Sequence, residues 1–137
     1  MKQALLLFSS ILIAGCSNFS TEWTEEIKDN CDAYKTGKYL YTAFSSHVLI
    51  DRNDTLQVET NLDTRNKIYY KITWTGPCTY NLTFLSTTEH LSDFMLKDKK
   101  SAPLIVSIIN GDDSYYFYES KRSNSALVYK DTIWARK

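Results

Sequence analysis

The sequence predicts a mainly β domain. It is expected to be an antiparallel meander of about eight strands with one short helix, closing into a small barrel, with a two-sheet β-sandwich as the alternative. Three observations carry that expectation. First, Ile68 to Phe84 reads IYYKITWTGPCTYNLTF: Ile68, Tyr70, Ile72 and Trp74 alternate with Tyr69, Lys71 and Thr73, and Cys78, Tyr80, Leu82 and Phe84 alternate with Thr79, Asn81 and Thr83. Period-two patterning broken by Gly76-Pro77 marks two half-buried antiparallel strands joined by a short loop. Second, the chain has ten Tyr but only four Gly and two Pro, a composition that favours strands over disorder. Third, turn-forming clusters recur between short alternating runs, and tight connections favour an up-and-down sheet that closes on itself. With 137 residues there is room for one such domain and one core.

The elements follow in order. A strand over about 38–44 puts Tyr39 and Tyr41 on one face, and a second covers 47–51. Asp51-Arg52-Asn53-Asp54 is a turn cluster, because Asn and Asp cap their own backbone. Over 55–60, Leu56 and Val58 are expected inward, Gln57 and Glu59 outward. Asp63 to Asn66 turns the chain into the central hairpin, 68–74 and 78–84. Ser86 and Glu89 offer a capping box, and Leu91, Phe94 and Met95 follow at helical spacing, so the helix is placed at 88–96. The lysine-rich run 97–101 reads as a solvated loop. Strands over 103–109 and 114–120 meet at Asn110-Gly111, a strong hairpin signal. In the second of them Tyr116 and Tyr118 share one face, and Tyr115, Phe117 and Glu119 the other. A polar turn at 121–125 precedes the last strand, 127–135. Strands of about six residues would make a shallow, lipocalin-like barrel whose interior the aromatic side chains fill.

The N-terminal stretch is an address. Met1-Lys2 is followed by a nearly continuous apolar run from Ala4 to Ala14, then Gly15-Cys16. About 11 apolar residues are too few to cross a bilayer, which takes roughly 20. Ile13-Ala14-Gly15-Cys16 resembles the lipobox of bacterial lipoproteins. The resemblance implies that Ile13, Ala14 and Gly15 are recognised by the signal peptidase and that residues 1–15 are removed. Cys16 then carries a covalent lipid, the one cofactor-like group expected, and residues 16–30 tether a β-domain of 31–137. Two or three acyl chains, at about 0.8 kcal/mol per buried methylene, anchor durably to a membrane. Ser17 after the cysteine, by resemblance to the sorting rule of enteric bacteria, points to the outer membrane. The expected location is therefore the cell envelope.

Of three cysteines, one is assigned to lipid. Cys31 and Cys78 remain, an even pair in an oxidising compartment, and are expected to bridge. A bridge closing a loop of about 47 residues contributes about 4 kcal/mol in the chain-entropy treatment. Two free thiols or a metal site are the alternatives, and no CxxC or histidine cluster supports a metal.

Chemistry is sparse elsewhere. Sixteen basic against sixteen acidic residues argue against nucleic acid as a partner, which calls for a basic surface. Of two histidines, His47 neighbours Ser45 and Ser46, but nothing resembles a nucleophile elbow. Asp112-Asp113 lacks the ligand number calcium needs. No enzyme is expected. Tyr69, Tyr115 and Phe117 lie opposite the core residues of their strands and form a candidate contact surface; burial of both faces is the competing reading.

Four segments together resemble a known group: Cys31-x-x-Tyr34-Lys35-x-Gly37-x-Tyr39; Asp51-Arg52-Asn53-Asp54-Thr55-Leu56-Gln57; Lys71-x-x-Trp74-Thr-Gly-Pro-Cys78-x-Tyr80-x-Leu82; and Lys130-Asp131-Thr132-Ile133. Over most of 31–134 the chain is similar to a small lipoprotein family of Bacteroidota-type bacteria. The resemblance implies the compartment and the cysteine pairing, and brings no activity with it. The expected function is a lipid-anchored, non-enzymatic envelope protein that binds a protein, peptide or small apolar ligand. The alternative is a structural or accessory subunit of an envelope complex with no ligand of its own.

Overall fold

A computed structural model describes residues 31–43 and 45–136. The lipobox positions Ile13, Ala14, Gly15 and Cys16, and the tether 16–30, lie outside the described residues. Eight antiparallel strands pair in chain order: β1 (Gly37–Ala43), β2 (Ser46–Arg52), β3 (Leu56–Asn61), β4 (Lys67–Trp74), β5 (Thr79–Thr87), β6 (Leu104–Gly111), β7 (Tyr115–Arg122) and β8 (Tyr129–Ala135). β8 returns to β1 through Tyr39 opposite Ala135 and Leu40 opposite Trp134, which closes the barrel. The expected architecture is therefore the barrel and not the sandwich. A short 3-10 turn, Asp32–Tyr34, precedes β1, and one helix, α1 (Asp93–Ser101), links β5 to β6.

The register decides which residues share the lumen. Ile72 faces Leu82 and Trp74 faces Tyr80 across β4 and β5, Tyr80 faces Val106 on β6, and Tyr116 faces Ile133 on β8. These residues form one core, together with Tyr34, Tyr39, Ile50, Ile108 and the Cys31–Cys78 disulfide. The disulfide, with Cα atoms 5.1 Å apart, fixes the segment before β1 to the β4–β5 turn. The 3-10 turn is thereby drawn across that end of the barrel.

Three expectations are corrected. On β3 the phase is opposite to the one predicted: Gln57 is buried and Glu59 faces the lumen beside it, while Leu56 and Val58 line an outer groove. The β2–β3 turn is the cause. Asn53 Oδ1 accepts from the amides of Thr55 and Leu56 at 3.0 and 2.9 Å, and this Asx turn sets Arg52 opposite Gln57. Directly opposed residues share a face, so Ile50 inward means Arg52 inward and Gln57 inward.

The helix starts five residues later than predicted. Thr87 Oγ1 donates to the Lys67 carbonyl, and Thr88 Oγ1 accepts from the Lys67 amide. These bonds hold 87–88 to β4, and Ser92 is the N-cap instead, accepting from the Met95 amide at 3.3 Å. The lysine run predicted as a loop is the C-terminal part of that helix.

Asn110-Gly111 is not the hairpin turn. Both residues belong to β6, and Asp112 makes the turn by accepting from the amides of Ser114 and Tyr115. Gly111 is needed for a close approach: a Cβ there would lie 2.5 Å from the Tyr115 carbonyl oxygen.

Candidate functional site

The lumen has two unlike halves. In the half beneath the disulfide, Arg52 is the centre, only 2% exposed. Its Nε donates to Gln57 Oε1 at 2.8 Å, Nη1 to the Tyr34 carbonyl at 2.9 Å, and Nη2 to the hydroxyls of Tyr80 and Tyr116 at 2.8 and 2.9 Å. Its guanidinium carbon also lies 4.7 Å from the Tyr80 ring centre and 5.2 Å from that of Tyr39, within cation–π range. Burial disfavours the charge, but the surrounding tyrosine oxygens more than offset this and the pKa moves up, so Arg52 stays a cation. Tyr34 and Tyr39 pack against Tyr116 at 5.0 and 5.6 Å between ring centres. Burial pushes the Tyr39 phenol up to about 12. This half is filled and can accept nothing further.

A polar chain leads from it into the other half. Gln57, having accepted from Arg52, donates through Nε2 to Glu59 Oε1 at 2.8 Å. Glu59 is held above the usual carboxylate range by burial, which outweighs the Gln57 hydrogen bond and the attraction of Lys99 and Arg52. Around it, inward on β1, β4 and β7, stand Tyr41, Tyr70 and Tyr118. The Tyr41 hydroxyl donates to Asp131 Oδ2 at 3.2 Å, and its ring lies 6.3 Å from that of Tyr118. Burial also raises the Tyr70 and Tyr118 phenols.

Although Tyr41, Val48, Glu59, Tyr70 and Tyr118 face inward, all are only half-buried. They stand toward the end of the barrel away from the disulfide, where β1 and β8 pair only through Tyr39–Leu40 and Trp134–Ala135. α1 lies at that end, between the last residue of β5 and the first of β6. It buries none of its own residues, and Arg122 ties it down by donating to the Ala102 carbonyl and to Asp98 Oδ2, each at 3.1 Å.

The predicted contact surface divides. Tyr115 and Phe117 do face outward together, with ring centres 5.2 Å apart, and Trp134 joins them 5.3 Å from Tyr115. Tyr69 is outward too, but on β4 in the groove with Leu49, Val58 and Leu62. Trp134 was legible from its alternation with the inward Ile133. The sequence reading put Arg52 in the turn cluster and Glu59 on the outward face; Arg52 is instead the buried last residue of β2, and the pairing set by the Asn53 turn brings both inward. Cys31 and Cys78 are bonded to each other as expected. Among the described residues no group of three His, Cys, Asp or Glu could hold a metal ion. No family model, curated protein or solved structure matches the chain.

Proposed function

We propose that the chain is a lipid-anchored, non-enzymatic cell-envelope protein whose β-domain binds a small ligand in the open half of its barrel. The observation that carries this reading is the contrast in burial along one lumen. Tyr34, Tyr39, Tyr80 and Tyr116 are nearly inaccessible, whereas Tyr41, Glu59, Tyr70 and Tyr118 face the same interior and still meet solvent. Small barrels that hold a ligand keep inward side chains accessible and place a few convergent polar groups among them. The lining bears on the kind of ligand. A carboxylate at the centre makes a purely apolar occupant a poor fit, since it would strip Glu59 of water and give nothing back.

Attachment through Cys16 is supported by the lipobox residues and by the outer surface. Lys38 pairs with Asp51 at 3.2 Å, Lys130 pairs with Glu119, and Lys67 and Lys71 are exposed on β4. A barrel that spans a membrane carries an apolar outer band, so an acyl tether is the membrane link this surface fits. Ser17 favours the outer membrane. Globomycin treatment or Cys16→Ala should leave an unprocessed precursor; maturation and membrane retention of that variant would refute lipidation. For binding, the mature chain in detergent, mixed with a small-molecule extract of its own envelope, should show amide shifts confined to the open half. Shifts confined to the outer face, or none, would reject the ligand reading.

The second reading, an accessory subunit of an envelope complex, is favoured by the outward row Tyr115, Trp134, Leu40 and Leu49, contiguous by strand register. Trp134 is 50% exposed there. A photo-crosslinker at Phe117 that captures one envelope protein would favour it.

A further inference from the structure

We infer that the open half of the barrel is a site for a small organic ammonium ion, held by the Glu59 carboxylate against the rings of Tyr41, Tyr70 and Tyr118. The inference rests on the ligand-binding reading above and names the class of ligand. Three observations lead to it.

The first is the charge left over along the polar chain. Gln57 fixes one oxygen of Glu59 at 2.8 Å, and among the described residues Oε2 accepts no hydrogen bond. Arg52, the nearest buried cation by connectivity, is committed to Gln57, Tyr34, Tyr80 and Tyr116. A half-buried carboxylate with one oxygen left over is matched most strongly by a cation, whose hydrogen bonds to it exceed those of a neutral donor such as Gln57.

The second is the aromatic wall. β7, β8 and β1 are consecutive around the barrel, and Tyr118 and Tyr41 stand edge to face on them with Asp131 between. Glu59 and Tyr70 stand on β3 and β4 across the lumen. Ring faces around a cation, with a carboxylate behind, are how proteins hold quaternary and primary ammonium groups. An anion would meet Glu59 and Asp131 instead.

The third is that the fold supplies its own ammonium at this mouth. Lys99, half-buried on α1, acts electrostatically on Glu59. It does so from a helix that buries no residue and is tied to the barrel by Arg122. A ligand ammonium takes the position Lys99 covers, and α1 is the element that yields.

The test uses the mature, full chain in detergent and three probes: choline, its uncharged carbon isostere 3,3-dimethyl-1-butanol, and acetate. Amide shifts at residues 41, 59, 70 and 118 are followed through each titration. Choline is expected to saturate, with the isostere at least about tenfold weaker, since cation–π contacts in desolvated sites are worth that ratio or more. Glu59→Gln should weaken choline about tenfold or more while leaving the Gln57 hydrogen bond an acceptor. Lys99→Ala, which removes the competing ammonium, should tighten it. Equal binding of choline and the isostere, tighter binding of acetate, no response to choline, or a Lys99→Ala variant that binds more weakly would each overturn the ammonium assignment. The ligand reading is judged separately: shifts at the same four residues with the alcohol or with envelope extract keep it standing when choline fails.

Discussion

At the disulfide end of the barrel the inward polar side chains are buried and hydrogen-bonded to one another, and at the other end they are half-buried and meet solvent. Arg52 spends four donors on Gln57, the Tyr34 carbonyl, Tyr80 and Tyr116. Trp74 Nε1, whose ring packs on Tyr80 at that same end, is the buried donor without a partner among the described residues. At the open end, Glu59 has one hydrogen bond and a raised pKa, and three tyrosines remain half-wet. The same eight strands wall both halves, so the difference is not one of fold. Satisfied polar networks specify and rigidify a core, and accessible titratable groups with shifted pKa values are candidates for binding. One half holds the barrel together and the other half is available for work.

If that division is right, the largest effect on stability comes from Arg52. Arg52→Met leaves Gln57, Tyr80 and Tyr116 short of partners and removes the nearest buried positive charge from Glu59. Loss of about 3–5 kcal/mol is expected, the range for breaking a buried charge network, measured by urea unfolding. A loss below about 1 kcal/mol would show that this half is held by packing alone. Next comes the staple: Cys31→Ser together with Cys78→Ser should cost about 2–4 kcal/mol by releasing the closed loop. Because the 3-10 turn carries Tyr34 over Arg52, Tyr34 should then lose protection from hydrogen exchange while residues of the open half keep theirs. Equal loosening of both ends would erase the comparison.

The sequence made one half of this legible and not the other. All eight strands could be read from the sequence, and so could the placing of Tyr39 with Tyr41 and of Tyr116 with Tyr118 on shared faces. Alternation separates two faces of a strand; it does not say which one is inside. On β3, Leu56 and Val58 take the inward role by default when only hydrophobicity is weighed. What overrides it is Arg52, whose partners Tyr80 and Tyr116 are 28 and 64 residues away and invisible to any local period. The same holds for α1, where a capping box at Ser86 lost to the tertiary pairing of Thr87 and Thr88 with Lys67. Glu59, the centre of the proposed site, was misplaced for the same reason as Leu56. Functional polarity inside a barrel looks like an ordinary solvent face until the register is known.

Glu59 gives a smaller and more diagnostic effect. Burial raises its folded pKa above the unfolded one. Between those two values the native state binds more protons than the unfolded state, so stability falls as pH climbs through that window and levels off above it. Glu59→Gln should remove that slope and make the protein more stable at neutral pH while weakening choline. A gain in stability coupled to a loss of binding is the signature of a residue kept for function. Equilibrium unfolding from pH 4 upward, variant against parent, reads it directly; an unchanged slope would mean that Glu59 is as well solvated as a surface carboxylate.

The smallest effect is expected at α1, and it separates a cover from a wall. Phe94 is 80% exposed and Met95 49%, so the helix turns these two apolar residues to solvent, while Leu96 is half-buried. Phe94→Ser should change stability by no more than about 0.5 kcal/mol, as for surface positions generally. The helix should stay formed, because its Ser92 cap and the Arg122 contacts to Asp98 and the Ala102 carbonyl do not involve Phe94. Thermal unfolding and helix amide shifts check both statements. A loss above about 1 kcal/mol would mean that α1 packs onto the open end as a fixed part of the core. Lys99 could then not be displaced, and the two halves of the lumen would differ in polarity but not in access.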